Sequence, residues 1–270
     1  MPFSRSEIRC VLTIAGSDSG GGAGLQADLK TFFSHRVHGT VAVTCVTAQN
    51  TLGVSAIERM PPAIVVAQIR AVLDDLEPEA AKTGFLGGLG AIEAIEAVAD
   101  QLPPLVVDPV CVNKHGQQIL DDSVVAAMKR VLLPRAILVT PNVAEAGVLT
   151  GLPVRSERDM ELAADALLEH GMHAVLIKGG RIGSDRSPDL FATETGMREW
   201  LDTRRVATTA VLGSGDTLAA AIAARLAWGA SLVEAVRLGK AYVTACLRVA
   251  LEIGRGQGPI GHILADRDEL

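Results

Sequence analysis

The sequence predicts an α/β fold in which a mostly parallel β-sheet is covered on both faces by helices. Short apolar runs alternate with longer amphipathic stretches through most of the chain, the pattern of strands joined by crossover helices. Polar residues gather where the apolar runs stop: Asp18, Gln49, Asp108, Asn142 and Lys178 each follow one. In sheets of this kind the ligand crevice lies at the carboxyl ends of the strands. Late in the chain, Gly213-Ser214-Gly215 leads into the run Ala219-Ala220-Ala221-Ile222-Ala223-Ala224, a turn followed by a strong helix former.

The elements follow in order. Val11–Ala15 reads as a short buried strand, and Gly16 to Gly24 as a glycine-rich loop before a helix carrying Asp28 and Lys30. That loop has neither the spacing of a dinucleotide fingerprint nor the Lys-Ser/Thr pair of a P-loop. It either admits a ligand close to the backbone or serves as a plain strand-to-helix turn. A second strand covers Gly39–Thr47 and a short extra one Gly53–Ile57; Pro61-Pro62 opens a helix to about Leu76. Ala80–Gly84 is a strand, 89–101 a helix, and Leu105–Asp108 a strand. A loop from Pro109 to Gly116 carries Cys111, Asn113, Lys114 and His115. Helix 122–131, strand Ala136–Val139, helical stretches from Val143 and over Glu157–His170, and strand Ala174–Ile177 continue the alternation. Leu190–Thr193 and Glu199–Asp202 form a hairpin at one sheet edge. The last helices cover about Gly215–Trp228 and Leu232–Leu251, and residues beyond Glu252 have no pattern. With no internal repeat or linker, residues 1–270 read as one domain.

A chain of 270 residues with 49% hydrophobic content can bury a large core, and with 3% aromatics that core must be aliphatic. A net charge of −6 argues against a general nucleic-acid or anionic-membrane binder. The four cysteines are far apart in sequence, and Cys45 and Cys246 sit in apolar runs as reduced, buried residues. Without a signal peptide or a spanning apolar run, the expectation is a soluble cytoplasmic protein.

The chemistry concentrates at a few positions. The Gly213–Gly215 turn aims the first N–H groups of a helix, and its positive dipole end, at one point, an arrangement suited to phosphate. Asp216 is placed to accept a proton from a hydroxyl beside that anion, although an acidic residue in a first helical turn also serves as a cap or dipole partner. Asn142 and Glu145 share one face at a helix start. They suit a Mg²⁺ held directly or through waters, and equally a capping box. Lys178 is a candidate phosphate contact or an exposed turn lysine. Gln49 can read the edge of a heterocycle or stand solvated at a strand end. Together, cation site, lysine, anion hole and base are the parts of a phosphoryl-transfer site.

These segments resemble the hydroxymethylpyrimidine/phosphomethylpyrimidine kinases of thiamin biosynthesis, within the ribokinase-like superfamily. The likeness covers about residues 11–250. It is most specific in Ala15 to Lys30, Thr47-Ala48-Gln49-Asn50-Thr51, Thr140 to Ala146 and Lys178-Gly179-Gly180. It implies a three-layer αβα sandwich, ATP and Mg²⁺ dependence, and a homodimer. It also implies that Gly16, Asp18, Gln49, Phe85 and Val110 form the substrate pocket, and that Lys178, Lys240, Asn142 and Thr140 face the nucleotide. Asn142, Glu145 and Asp108 would organise Mg²⁺, and Gly213, Ser214 and Gly215 would form the anion hole beside the base Asp216. The pyrimidine kinases usually carry Cys where this chain has Asp216, His where it has Leu212, and often Met where it has Phe85. Ribokinases and many pyridoxal kinases have Asp at the first of these positions.

The expected activity is ATP-dependent phosphorylation of 4-amino-5-hydroxymethyl-2-methylpyrimidine, with the resulting monophosphate as an optional second acceptor. Asp216 and the similar ring of vitamin B6 make a pyridoxal-type kinase the alternative. A non-catalytic ligand sensor on the same fold is the third reading, against which Asn142, Glu145, Lys178 and Asp216 all weigh.

Overall fold

The computed structural model describes residues 7–113, 116–180, 182–183 and 185–262. Lys114 and His115 of the predicted loop lie outside the described residues. One nine-stranded sheet organises the chain, in the order β3-β2-β1-β4-β5-β6-β7-β8-β9. Its strands are β1 (Arg9–Asp18), β2 (Val37–Asn50), β3 (Gly53–Arg59), β4 (Ala80–Thr83), β5 (Leu105–Val107), β6 (Leu138–Val139), β7 (Ala174–Lys178), β8 (Arg186–Thr193) and β9 (Arg198–Arg204). The pairs from β2 through β7 are parallel, whereas β3 on one edge and β8 and β9 on the other are antiparallel.

The helices are α1 (Gly24–Ser34), α2 (Pro62–Leu76), α3 (Leu89–Glu96), α4 (Asp122–Val131), α5 (Val143–Thr150), α6 (Glu157–Glu169), α7 (Ser214–Ala227) and α8 (Leu232–Arg248). Side chains of α2 to α6 pack in one core layer, and those of α1, α7 and α8 in a second on the opposite side of the sheet. Two core layers separated by a sheet make a three-layer αβα sandwich.

Several elements depart from their predicted bounds. β1 and β2 extend past their apolar runs because their ladder resumes after an irregularity between Ala15 and Ser17, pairing Ser17 with Val46 and Asp18 with Thr47. β6 is shorter than predicted, since Leu133–Arg135 forms a 3-10 turn that uses up the approach to the strand. The stretch predicted as a helix over 89–101 is divided into α3 and a 3-10 turn at Ala99–Gln101. Apolar spacing cannot tell these two hydrogen-bond patterns apart over so short a run. The last helix stops at Arg248 because Leu251 turns back to donate to the Pro259 carbonyl at 2.9 Å.

The tail after α8 is therefore not patternless. Leu212 donates to Gly258 at 3.1 Å, and Ile260 donates back to Leu212 at 3.3 Å. Gln257 donates to Thr51 at 2.9 Å. Gly256 and Gly261 sit where a Cβ would lie 2.1 Å from the Thr51 carbonyl and 1.9 Å from the Val249 carbonyl, respectively. All four cysteines are buried and free, Cys111 among them, so the loop position assigned to that thiol is an interior one.

α7 is the central helix of its layer, lying against β1, β4 and β5 and beside α1 and α8. Every side chain from Thr217 to Ala224 is buried. A helix enclosed on all sides at this density needs small residues, which is the structural reason for the alanine run. Enlarging one of them, as in Ala221→Leu, is expected to cost about 1–3 kcal/mol through overpacking. Chemical denaturation measures this as a lower unfolding midpoint, and an unchanged midpoint would contradict the close packing of α7.

Candidate active site

The polar strand ends meet above the carboxyl edge of the sheet. On one side is a cavity of about 190 Å³ whose wall includes Gly16, Asp18, Gln49, Phe85, Val110 and Asp216. The predicted substrate residues and the predicted base thus share one enclosure. At well under the roughly 300–1,000 Å³ of a drug-sized site, it suits a ligand with a single ring. The apolar side chains of Val54 and Ile57 from edge strand β3 complete the wall.

The glycine-rich loop is built around Asp18. Its carboxylate accepts from the N–H groups of Gly20 at 2.7 Å, Gly22 at 2.9 Å and Ala23 at 2.8 Å. Both oxygens of this cavity-wall residue are thus engaged in folding the loop. Gly16 is required by space: a Cβ there would lie 2.7 Å from the Cys45 sulfur. Gln49 takes a hydrogen bond on Oε1 from Thr47 at 3.3 Å, while Ser19 holds its backbone.

The turn before α7 lies against that loop. Gly213 has φ +80°, and a Cβ on it would sit 2.0 Å from the Gly22 carbonyl, so both its conformation and its contact require glycine. The Ser214 N–H is spent on the Val211 carbonyl at 3.2 Å, and Thr217 N–H returns to Gly213 at 2.9 Å. Gly215 and Asp216, the second and third helical residues, therefore supply the N–H groups that lack an intrahelical acceptor. In the predicted anion hole, the Ser214 N–H is therefore not available as a donor.

A cluster of charge stands next to this turn. An added Cβ on Gly215 would lie 3.2 Å from Lys178 Nζ and 3.3 Å from Asp108 Oδ2. Lys178 Nζ donates to Asp108 Oδ1 at 2.8 Å and is 4.0 Å from Glu145 Oε2. Thr140 Oγ1 donates to the same Asp108 oxygen at 3.2 Å, which makes Thr140 an orienting partner of that carboxylate. Asn142 caps α5, accepting from Ala144 at 2.9 Å and Glu145 at 3.0 Å, while Glu145 Oε2 accepts from the Asn142 N–H at 2.7 Å. The capping-box reading of this pair is thus realised. It leaves Glu145 Oε1 and Asp108 Oδ2 without hydrogen-bond partners among the described residues.

The electrostatics follow from burial. Glu145 is pushed up to about 7, first by burial, against the pull of Lys178 and with the push of Asp108. Burial alone would lower the Lys178 ammonium, but Asp108 and Glu145 hold it above the ordinary lysine value. Two buried carboxylates beside one lysine leave an excess of negative charge and spare oxygen donors. That donor set fits Mg²⁺ held by one or two carboxylates, with waters and phosphate oxygens filling its shell. No group of three or more His, Cys, Asp or Glu side chains among the described residues forms a complete protein cage.

Lys240 is engaged by a partner from β8. Its ammonium, on α8, donates to Asp189 Oδ2 at 2.7 Å and to the Ser187 carbonyl at 3.0 Å. Asp189 in turn accepts from the Gly179 N–H at 2.9 Å. Lys240 therefore fixes the Lys178-Gly179 turn through an intermediary and does not join the Lys178 cluster.

Two features of the site escaped sequence reasoning. Lys82, 0% exposed, donates to both Asp28 oxygens at 2.8 and 2.9 Å and to Asp216 Oδ1 at 3.2 Å. Burial pushes Asp28 up to about 7 against the pull of Lys82, and Asp28 and Asp216 keep the ammonium above its usual value despite burial. The available signal was a charged residue inside an otherwise apolar strand, which a buried position obliges to be paired. The other is His262 in the tail, 2.7 Å from Thr217 Oγ1 in the first turn of α7 and pushed down to about 4 by burial.

Comparison with known proteins places this geometry. A family model described as phosphomethylpyrimidine kinase matches residues 18–261. The hydroxymethylpyrimidine/phosphomethylpyrimidine kinase of Synechococcus elongatus is 48% identical over 259 residues, covering 94% of this chain and 97% of the relative. Among solved structures, the pyridoxal kinase from Staphylococcus aureus in complex with AMP-PCP superposes with a TM-score of 0.88 at 36% identity, over 97% of this chain and 96% of that one. The phosphomethylpyrimidine kinase from Clostridium difficile 630 gives 0.76 at 36% identity, over 87% of this chain and 98% of that one. With strand order, helix layers and a matched span that contains every candidate residue from Asp18 to Lys240, the chain belongs to the phosphomethylpyrimidine kinase family.

Proposed function

We propose that this chain transfers the terminal phosphoryl group of ATP to the hydroxymethyl group of 4-amino-5-hydroxymethyl-2-methylpyrimidine, as a step in thiamin synthesis or salvage. The observation that carries it is the position of Asp216, which lines the ring-sized cavity and also stands in the first turn of α7 beside Lys178 and Asp108. Gln49 reads the polar edge of the ring, and Phe85 offers it an aromatic surface. The Asp216 carboxylate accepts the hydroxyl proton as the alcohol oxygen bonds to the terminal phosphorus and the bond from that phosphorus to the bridging oxygen of ADP breaks. Negative charge on the moving group faces the Gly215 and Asp216 N–H groups and the Lys178 ammonium. Asp108 and Glu145 would hold Mg²⁺, which when bound neutralises phosphate charge. The family resemblance adds a homodimer and a cytoplasmic location to the proposal; no helix among the described residues is long and apolar enough to cross a membrane.

A second reading, a pyridoxal-type kinase, is favoured by the carboxylate at position 216 and by the shape likeness to a pyridoxal kinase. Steady-state kcat/KM with each alcohol, with products identified by mass spectrometry, separates the two. A preference for the pyrimidine is expected, and a clear preference for pyridoxal would reverse the assignment. Asp216→Asn should lower kcat by ~10²-fold or more, the usual range for a lost general base. Turnover near the native rate in that variant would remove Asp216 from the role.

A further inference from the structure

Asp28 and Lys82 have so far been given no part in phosphoryl transfer. Both side chains are fully buried. A buried ion pair is a weak contributor to stability, because desolvating two charges consumes most of what their attraction returns. Apolar side chains of similar size would fill the same space. The third contact of the ammonium, to Asp216, is what packing does not explain.

We propose that Lys82 is a positioning residue for Asp216: its ammonium, gripped from behind by Asp28, fixes one carboxylate oxygen and leaves the other unbound at the cavity wall. The proposal rests on Asp216 being the base. Asp28 is itself held, accepting from Thr13 Oγ1 at 2.7 Å as well as from Lys82. Gly84 makes the meeting possible, since an added Cβ there would lie 2.8 Å from Lys82 Nζ and 3.4 Å from Asp216 Oδ1. Asp216 Oδ2 has no hydrogen bond among the described residues, although Asp216 lines the cavity.

The arrangement acts through orientation: fixing one oxygen removes rotation of the base before the reaction. The charged groups acting on Asp216 are Lys82 from β4, Asp28 from α1, Glu145 from α5, Lys178 from β7 and His262 from the tail, with Asp108 of the β5 end beside Gly215. Lys82 is the one cation in hydrogen-bond contact with it among the described residues.

The test replaces both members of the pair, Asp28→Asn with Lys82→Met, which removes two opposite charges and keeps the volume. The folded double variant is expected to lose about 10-fold or more in kcat at neutral pH while KM for the pyrimidine alcohol changes by less than about 3-fold. The loss should sit in kcat, because the lining of the cavity that binds the alcohol is untouched. A folded double variant with native kcat overturns the proposal, as does one whose loss appears as a rise in KM with kcat unchanged.

Should the double variant not fold, Gly84→Ala asks the same question by pushing the ammonium aside, and the same loss of kcat without a rise in KM is expected; a native kcat overturns the proposal. Asp216→Asn in parallel separates the two levels. If it kills turnover while the Lys82 variants keep native kcat, only the role of Lys82 fails. If it turns over normally, the base assignment fails and the proposal with it.

Discussion

The contact between Gly213 and the carbonyl of Gly22 sets how far α7 advances toward the strand ends. Nothing larger than a hydrogen fits between them, so two loops separated by most of the chain close on each other at backbone distance. The alanine face of α7 lets the helix lie low against β1, β4 and β5, and the glycine contact fixes where it begins. From that placement come the two free N–H groups of its first turn, the carboxylate of Asp216 at the cavity wall, and the bare Gly215 beside Lys178 and Asp108. A helix displaced outward by one methyl group would separate these parts.

Charge is distributed with the same economy. Three buried or half-buried lysines near the site each meet a carboxylate from another element: Lys82 with Asp28 and Asp216, Lys178 with Asp108, Lys240 with Asp189. These pairs link β4 to α1 and α7, β7 to the end of β5, and α8 to β8. Because their members are mostly buried, they resist salt and solvent competition far better than surface pairs do. The carboxylates exceed the lysines around Asp108 and Glu145, and that local surplus is what a phosphate-bound cation would answer.

Much of this was legible in the residues. Alternating apolar runs gave the parallel sheet, and the polar residues at their ends gave Gln49 at the cavity wall and Asp108, Asn142 and Lys178 in the charged cluster beside the Gly213 turn. The glycines around Ser214 announced the helix start that Asp216 occupies. What stayed hidden has a common cause. Asp18 reads as a free carboxylate because a sequence does not say that three N–H groups of its own loop will fold onto it. Lys240 looks available until Asp189, brought beside it only by the β7–β8 hairpin pairing, takes its ammonium. Lys82 and Asp28 lie in different elements and acquire meaning only when β4 and α1 enclose them. Each of these depends on contacts distant in sequence, which local pattern does not encode.

The tail after α8 carries one more implication. It holds the Leu212 approach to the Gly213 turn, the Thr51 loop beyond Gln49 and the first turn of α7 through His262. Every other described element precedes it in the chain, so during synthesis the sheet and both helical layers can form on the ribosome before this strap exists. The bracing of the site's carboxyl end is thereby left to residues that emerge after the sheet and both helical layers, and a nascent chain stalled between α8 and the strap would carry those layers around an unbraced site.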